Sequence, residues 1–226
     1  MVYYEWSLKD VVGSLAVIAS FLIYAAGSKT CYNIIRRKTT GDVTLFPFIA
    51  SLYCGVIWLK YGLLTNLFNL TLASGVNTIC QIIFIIVYYI YSLDRRKCNR
   101  LLMLSIPTLY AVLFYIKYVT TKPEAIIYLG LIGSATSILM SGSPLVSLVE
   151  VIKLKSTQSL DFGFIVANAL SAFLWSLFGF LVHDMNVFIP NGIGFLLTAV
   201  QLSLFKLYPS NIKELVLPTE NDLSNI

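Results

Sequence analysis

Residues 54–64 read CGVIWLKYGLL, and residues 172–181 read AFLWSLFGFL. Each places a tryptophan four residues before a glycine inside an apolar run, and the two tryptophans, Trp58 and Trp175, stand 117 positions apart. The same shift pairs Gly62 with Gly179, Ala50 with Ala167, and Lys38-Thr39-Thr40 with Lys155-Ser156-Thr157. A signal recurring at a fixed period marks an internal repeat, so the unit has to be found before the fold can be assigned.

The unit is a set of membrane helices. A helix needs roughly 20 residues at 1.5 Å each to cross a bilayer core of about 30 Å. Seven segments qualify: 8–28, 45–64, 69–92, 101–119, 125–150, 161–181 and 187–208. The joints between them are short and carry turn or charge signals, such as RRKTTGD, DRRKCNR and HDMN. Of the 226 residues, 58% are hydrophobic and 12% charged, against about a quarter charged in a soluble domain. The start, MVYYEWSLKD, lacks the basic region of a cleaved signal, so the first apolar run is expected to stay as a helix.

Basic residues orient the chain, because loops rich in Lys and Arg stay cytoplasmic. Twelve of the sixteen fall on one side, among them Arg36, Arg37, Lys38, Arg95, Arg96 and Lys97. Lys9, Lys60, Lys117 and Lys122 fall on the other. The N-terminus is therefore expected outside, with residues 209–226 forming a cytoplasmic C-terminal tail. The net charge of +5 is a topology signal and calls for no nucleic-acid partner.

Helices one to three (7–92) repeat as helices five to seven (125–208), with helix four (101–119) as a linker. An odd linker sets both triplets in the same orientation, so the fold class is an all-α integral membrane protein of seven helices, arranged 3+1+3 as parallel repeats. Such repeats are related by an axis along the membrane normal, and that axis is where a pathway lies. An excess of three residues in the first outer loop then pairs Asn77 with Asn191 at a shift of 114.

Counted along the helices, Trp58 lies roughly 9 Å deep and Asn77 roughly 12 Å deep, with Trp175 and Asn191 at comparable depths. Two indoles and two amides at one level suit a sugar: a tryptophan face stacks on the C–H face of a pyranose, and an amide offers both donors and acceptors to its hydroxyls. A lone membrane tryptophan is more often an interfacial anchor, and a lone asparagine a helix–helix contact. Depth and recurrence favour the ligand site. Pro190, directly before Asn191, removes a backbone N–H and either leaves a carbonyl available at the cavity or is an ordinary tolerated kink. Pro47 and Pro144 lie in the cytoplasmic halves of helices two and five, where bends could work an inner gate. Gly27, Gly192 and Gly194 would permit close helix approach.

No charged residue or histidine lies deep in any of these spans, and an ion-coupled carrier needs one. Transport is therefore expected to be passive. The four cysteines (Cys31, Cys54, Cys80, Cys98) have neither CxxC spacing nor His neighbours, so neither disulfide nor metal is expected. No cofactor is expected, and no catalytic residue, so the chain is not an enzyme. SLDRRK has the look of the DRY motif of rhodopsin-like receptors, but it reads as part of the positive-inside cluster, and no NPxxY pattern follows. Asn69-Leu70-Thr71 is a formal glycosylation acceptor in a very short loop against the membrane, which disfavours modification.

Over residues 7–208 the chain resembles the SWEET sugar transporters of the MtN3/saliva family. The matching stretches are KTTGDVTLFPF, WLKYGLL, VNTICQ, SPLVSLVEVIKLKSTQSL, WSLFGFLVHD and IPNGIG. The resemblance implies facilitated, bidirectional uniport of sugars by alternating access. It implies that Asn77 and Asn191 bind the sugar, that Trp58 and Trp175 wall the pocket, and that Tyr61 and Asp184 form the extracellular gate. It also implies prolines in the first two helices of each triplet. Pro47 and Pro144 fit, whereas Gly27 and Phe164 occupy the other two positions.

The expected partners are a monosaccharide and the lipid bilayer, and the chain could also form a homo-oligomer. Two facing tryptophans leave space for a single ring, which favours hexoses, glucose first, over sucrose. The membrane expected is the plasma membrane, with Golgi or endosomal membranes as alternatives. The rivals are a PQ-loop amino-acid carrier, whose proline–glutamine pair is missing here, and a KDEL-type sorting receptor, whose buried basic residues are missing.

Overall fold

The computed structural model describes residues 7–142, 149, 151–153, 155–157 and 160–208. Seven helices long and apolar enough to cross a membrane occur among them. They are α1 (Leu8–Arg37), α2 (Phe46–Thr65), α3 (Phe68–Tyr91), α4 (Arg95–Tyr118), α5 (Lys122–Met140), α6 (Phe162–Leu181) and α7 (Met185–Leu207).

Both triplets open on the same device. Asp10 accepts from the Ser7 N–H and hydroxyl, and Glu124 accepts from the Thr121 N–H and hydroxyl. Each pairing is a capping box, in which side chains satisfy N–H groups left free at a helix start. Within the first triplet α3 packs against both α1 and α2, and within the second α7 packs against both α5 and α6. Between triplets α1 meets α6 and α2 meets α5, which is one contact repeated by a twofold axis. The linker α4 touches α2 and α5 lightly, and among its residues Cys98 and Ile116 are buried.

The backbone repeats as well as the packing. Lys38 and Lys155 adopt positive φ (54° and 50°), and so do Asn66 and His183 (58° and 56°). Both pairs are 117 positions apart. Asn66 and His183 each reverse the chain after the Trp-x-x-x-Gly run. The turns close through Leu67 N–H to Gly62 O at 3.0 Å and Asp184 N–H to Gly179 O at 2.8 Å. The glycine of the motif is explained by this turn. A Cβ on Gly62 would stand 3.0 Å from Thr71 N, and one on Gly179 would stand 2.6 Å from Phe188 N. Only a bare backbone lets the next helix start so close.

Three boundaries differ most from the sequence reading. The first span was expected to end at 28, but α1 continues to Arg37, because polar and basic residues sustain helical hydrogen bonding beyond the membrane core as well as apolar ones do. It stops where Lys38 turns left-handed. The linker helix begins at Arg95 rather than 101, started by Asp94, whose carboxylate accepts the Lys97 N–H at 3.1 Å. The fifth span was expected through 150. The helix ends at Met140, where Ser141 and Gly142 form a turn, and Val149 and Val151–Lys153 are again helical. Gly27 does admit a close neighbour, since a Cβ there would meet the Phe84 ring at 2.6 Å. Gly192 and Gly194 do not: the nearest atoms to a Cβ would be Ser176 Oγ at 3.4 Å and Ser141 Oγ at 3.6 Å. Gly194 faces the cavity instead. All four cysteines are free.

Candidate functional site

A cavity of about 660 Å³ lies between the triplets. Trp58, Asn77, Trp175 and Asn191 all line it, so the four side chains singled out from the repeat open on one cavity. From the tryptophans it runs past Ser141, Asn168 and Gln201 to Asp161 and Phe164 at the start of α6, which is the face rich in Lys and Arg. Toward the opposite face, its lining stops at Trp58, Leu70 and Val187.

That opposite end is closed by a bond between the triplets. Tyr61 Oη donates to Asp184 Oδ2 at 2.7 Å, and Asn186 Nδ2 donates to Tyr61 Oη at 3.3 Å. Asp184 is held in turn, because Oδ1 caps α7 by accepting the Asn186 and Val187 N–H groups. The closure is one-sided. A shift of 117 carries Tyr61 to Phe178, Leu67 to Asp184 and Asn69 to Asn186, so the twofold-related corner keeps the amide but has apolar side chains in place of the hydroxyl and the carboxylate. Ring geometry is nevertheless kept: Trp58 stands edge-on to Tyr61 at 5.4 Å, and Trp175 edge-on to Phe178 at 5.5 Å.

Each tryptophan is buried and tied to the other triplet. Trp58 Nε1–H donates to Ser137 Oγ on α5 at 3.0 Å, and Trp175 Nε1–H donates to Ser20 Oγ on α1 at 2.9 Å. Ser20 and Ser137 are themselves 117 positions apart. The sequence reading missed this pair, although the repeat contained it. A serine is too common a residue to stand out until its partner is known.

The asparagines correct the sequence reading. Their shift of 114 was attributed to a longer first outer loop, with both amides at comparable depth. The two turns span the same number of residues from motif glycine to closing N–H, Gly62 to Leu67 and Gly179 to Asp184, and α3 and α7 run unbroken from them. Asn77 is the tenth residue of α3 and Asn191 the seventh of α7, so they sit about 4.5 Å apart in register along their helices. The position matching Asn77 is Gly194 and that matching Asn191 is Ser74, and these two also line the cavity.

The carbonyl freed by Pro190 belongs to Asn186, and Ser134 Oγ donates to it at 2.9 Å. It is therefore satisfied rather than offered to the cavity. Asn69, the formal glycosylation acceptor, is half-buried in the first turn of α3 and packs against Gly13 of α1.

Known proteins place this architecture. A family model described as a sugar efflux transporter for intercellular exchange matches residues 10–96 and again 127–213. The chain belongs to the SWEET (MtN3/saliva) family. Sugar transporter SWEET1 of Drosophila pseudoobscura pseudoobscura is 29% identical over 202 residues, covering 88% of this chain and 89% of the relative. Bidirectional sugar transporter SWEET11 of Oryza sativa subsp. japonica is 29% identical over 220 residues, covering 96% and 71%. A solved structure of a eukaryotic SWEET transporter superposes with a TM-score of 0.82 at 25% identity, covering 91% of this chain and all of that one. The SWEET family is one of transporters, not of enzymes.

Of the hinge prolines expected in this SWEET chain, Pro47 occupies the first turn of α2. A proline there removes an N–H that has no intrahelical partner, which suits a helix start. Pro144 lies outside the described residues. This closure supports a direct expectation: Tyr61→Phe deletes the cross-triplet bond while keeping the ring, and Asp184→Asn weakens it while keeping a cap. Both variants are expected to slow exchange of labelled sugar several-fold in proteoliposomes, and exchange at the unmutated rate in either direction removes the gating role.

Proposed function

We propose that this SWEET-family chain is a facilitative, bidirectional uniporter that carries hexoses, glucose first, by alternating access through the cavity between its triplets. The observation that carries the reading is the one cavity lined by Trp58, Trp175, Asn77 and Asn191 and closed at one end by Tyr61 and Asp184. Indole faces supply stacking surface and amides supply hydrogen bonds, which together suit a polyhydroxylated ring. The relatives named as sugar transporters support the same substrate class.

With the basic face in the cytoplasm and the N-terminus outside, this structure is the inward-facing member of the cycle. The plasma membrane is the proposed location, with Golgi or endosomal membranes as the alternative. Among the cavity residues Asp161 alone carries a formal charge, and it caps α6 by accepting the Phe164 N–H at 3.0 Å. Among the described residues no Asp, Glu, Lys, Arg or His lines the cavity at the level of the tryptophans to couple sugar to protons. Size selection is placed at the tryptophans rather than in the wider vestibule, because each indole is tethered across the triplet interface and resists swinging aside.

The test is transport in proteoliposomes. Labelled glucose is expected to equilibrate without accumulating, an imposed pH gradient is expected to leave the endpoint unchanged, and sucrose is expected to move much more slowly. Uphill accumulation driven by protons would refute the passive mechanism. Sucrose carried as fast as glucose would refute the preference for a single ring.

A further inference from the structure

Asn77 and Asn191 line one cavity, yet they have different hydrogen-bonding capacity left for a ligand. A primary amide has two N–H donors and an oxygen with two acceptor lone pairs. Asn77 Oδ1 accepts from Ser51 Oγ at 3.4 Å and from Gln81 Nε2 at 3.2 Å, and one N–H of Asn77 donates to Ser51 O at 3.1 Å. A backbone carbonyl can only accept, so this last bond sets which way round the amide sits. One N–H remains. Asn191 makes a single hydrogen bond among the described residues, Nδ2 to Val187 O at 2.8 Å. It retains one N–H and both lone pairs of Oδ1.

Gln81 stands one turn beyond Asn77 on α3, buried behind the cavity wall rather than lining it. Its Oε1 is the one buried side-chain polar atom without a hydrogen-bond partner among the described residues. An orphaned buried acceptor is costly. Turning the amide over would be worse, since it would set Oε1 against Asn77 Oδ1 and break the existing bond. The second triplet has no counterpart: the position matching Gln81 is Thr198, whose hydroxyl bonds back to Gly194 O and Phe195 O on its own helix.

We propose that Gln81 is a positioning residue that occupies the Asn77 oxygen, so that Asn77 meets the sugar as a donor only and Asn191 alone of the two amides can accept from it. Two halves related by sequence repetition thereby read a bound sugar with unequal polarity. One sugar hydroxyl acts as acceptor to Asn77, and another gives its hydrogen to Asn191 Oδ1. The inference rests on the cavity being the sugar site.

Two measurements test it. Gln81→Leu and Gln81→Met, reconstituted in liposomes, are expected to raise the KM for hexose roughly two- to tenfold, the effect of one net hydrogen bond, with Vmax per transporter little changed. A lowered Vmax with the KM unmoved is the signature of a merely structural role and overturns the proposal. The second uses the unmutated protein and glucose analogues in which single hydroxyls are replaced by hydrogen or by fluorine, which accepts but cannot donate. At the hydroxyl facing Asn77 the fluoro analogue is expected to compete better than the deoxy analogue, and at the hydroxyl facing Asn191 both are expected to fail. Equal behaviour of fluoro and deoxy analogues at every position overturns the assignment even if neither variant reaches the membrane. Failure of the unmutated protein to carry any hexose would instead bring down the sugar reading itself.

Discussion

Asn77→Ala and Asn191→Ala are each expected to reduce hexose transport by more than a hundredfold while the protein is recovered at near-normal yield. The size of the effect follows from what a sugar loses. Each amide bond to a hydroxyl contributes about 0.5–1.5 kcal/mol net, and each hydroxyl left unpaired in a confined site costs about 1–3 kcal/mol more. The combined loss of about 3 kcal/mol exceeds two factors of ten. The two variants differ in their secondary effects. Removing the Asn77 amide also strips partners from Ser51 and Gln81, whereas removing that of Asn191 releases only Val187 O. Asn77→Ala should therefore show the lower thermal stability of the two. Uptake of labelled glucose into proteoliposomes, normalised to inserted protein, is the measurement. Wild-type rates in either variant would remove the amide from the binding site.

Trp58→Ala and Trp175→Ala are expected to cut hexose transport at least tenfold even though each widens the pore. Truncating a buried tryptophan costs about 3–5 kcal/mol of packing. Here it also deletes a stacking face and one of the bonds to Ser137 or Ser20 that tie the triplets together. Trp→Phe separates these contributions, because a phenyl ring stacks but cannot donate to the serine. Phe variants should retain more transport than Ala variants, and Ser20→Ala and Ser137→Ala should resemble the Phe variants. If the tryptophans were packing filler, the Ala variants would lose yield while the remaining protein transported normally.

Much of this protein could be read from residue types and spacing. Seven apolar segments, an asymmetric distribution of Lys and Arg and a shift of 117 positions are enough to set the helix count and the parallel repeat, because a bilayer imposes length and polarity on every crossing segment. The same repeat identified Trp58, Trp175, Asn77 and Asn191, four residues that the fold brings to one cavity.

Helix ends were less legible. Polarity marks where the membrane stops, whereas a helix stops where its hydrogen-bond ladder is capped, so α1 and α4 run into charged stretches that read as loops. Register was misjudged for a related reason. A spacing of 114 between asparagines says nothing about whether a loop or a helix face absorbs the difference, and only the equal turns at Asn66 and His183 place the offset within the helices.

Which atoms of each side chain remain available was decided entirely by tertiary structure. Asn77 and Asn191 are the same amide in sequence, and Ser20 and Ser137 are two serines among many. Their roles come from partners brought near by packing: Ser51 and Gln81 around one asparagine, the carbonyl of Val187 beside the other, and an indole from the opposite triplet at each serine. Hydrogen bonds act over about 3 Å, a scale on which the repeat is broken by single residues. The sequence alone therefore determined how many helices cross and how the halves are related, while the folded chain decided which donor and which acceptor each half presents to the cavity.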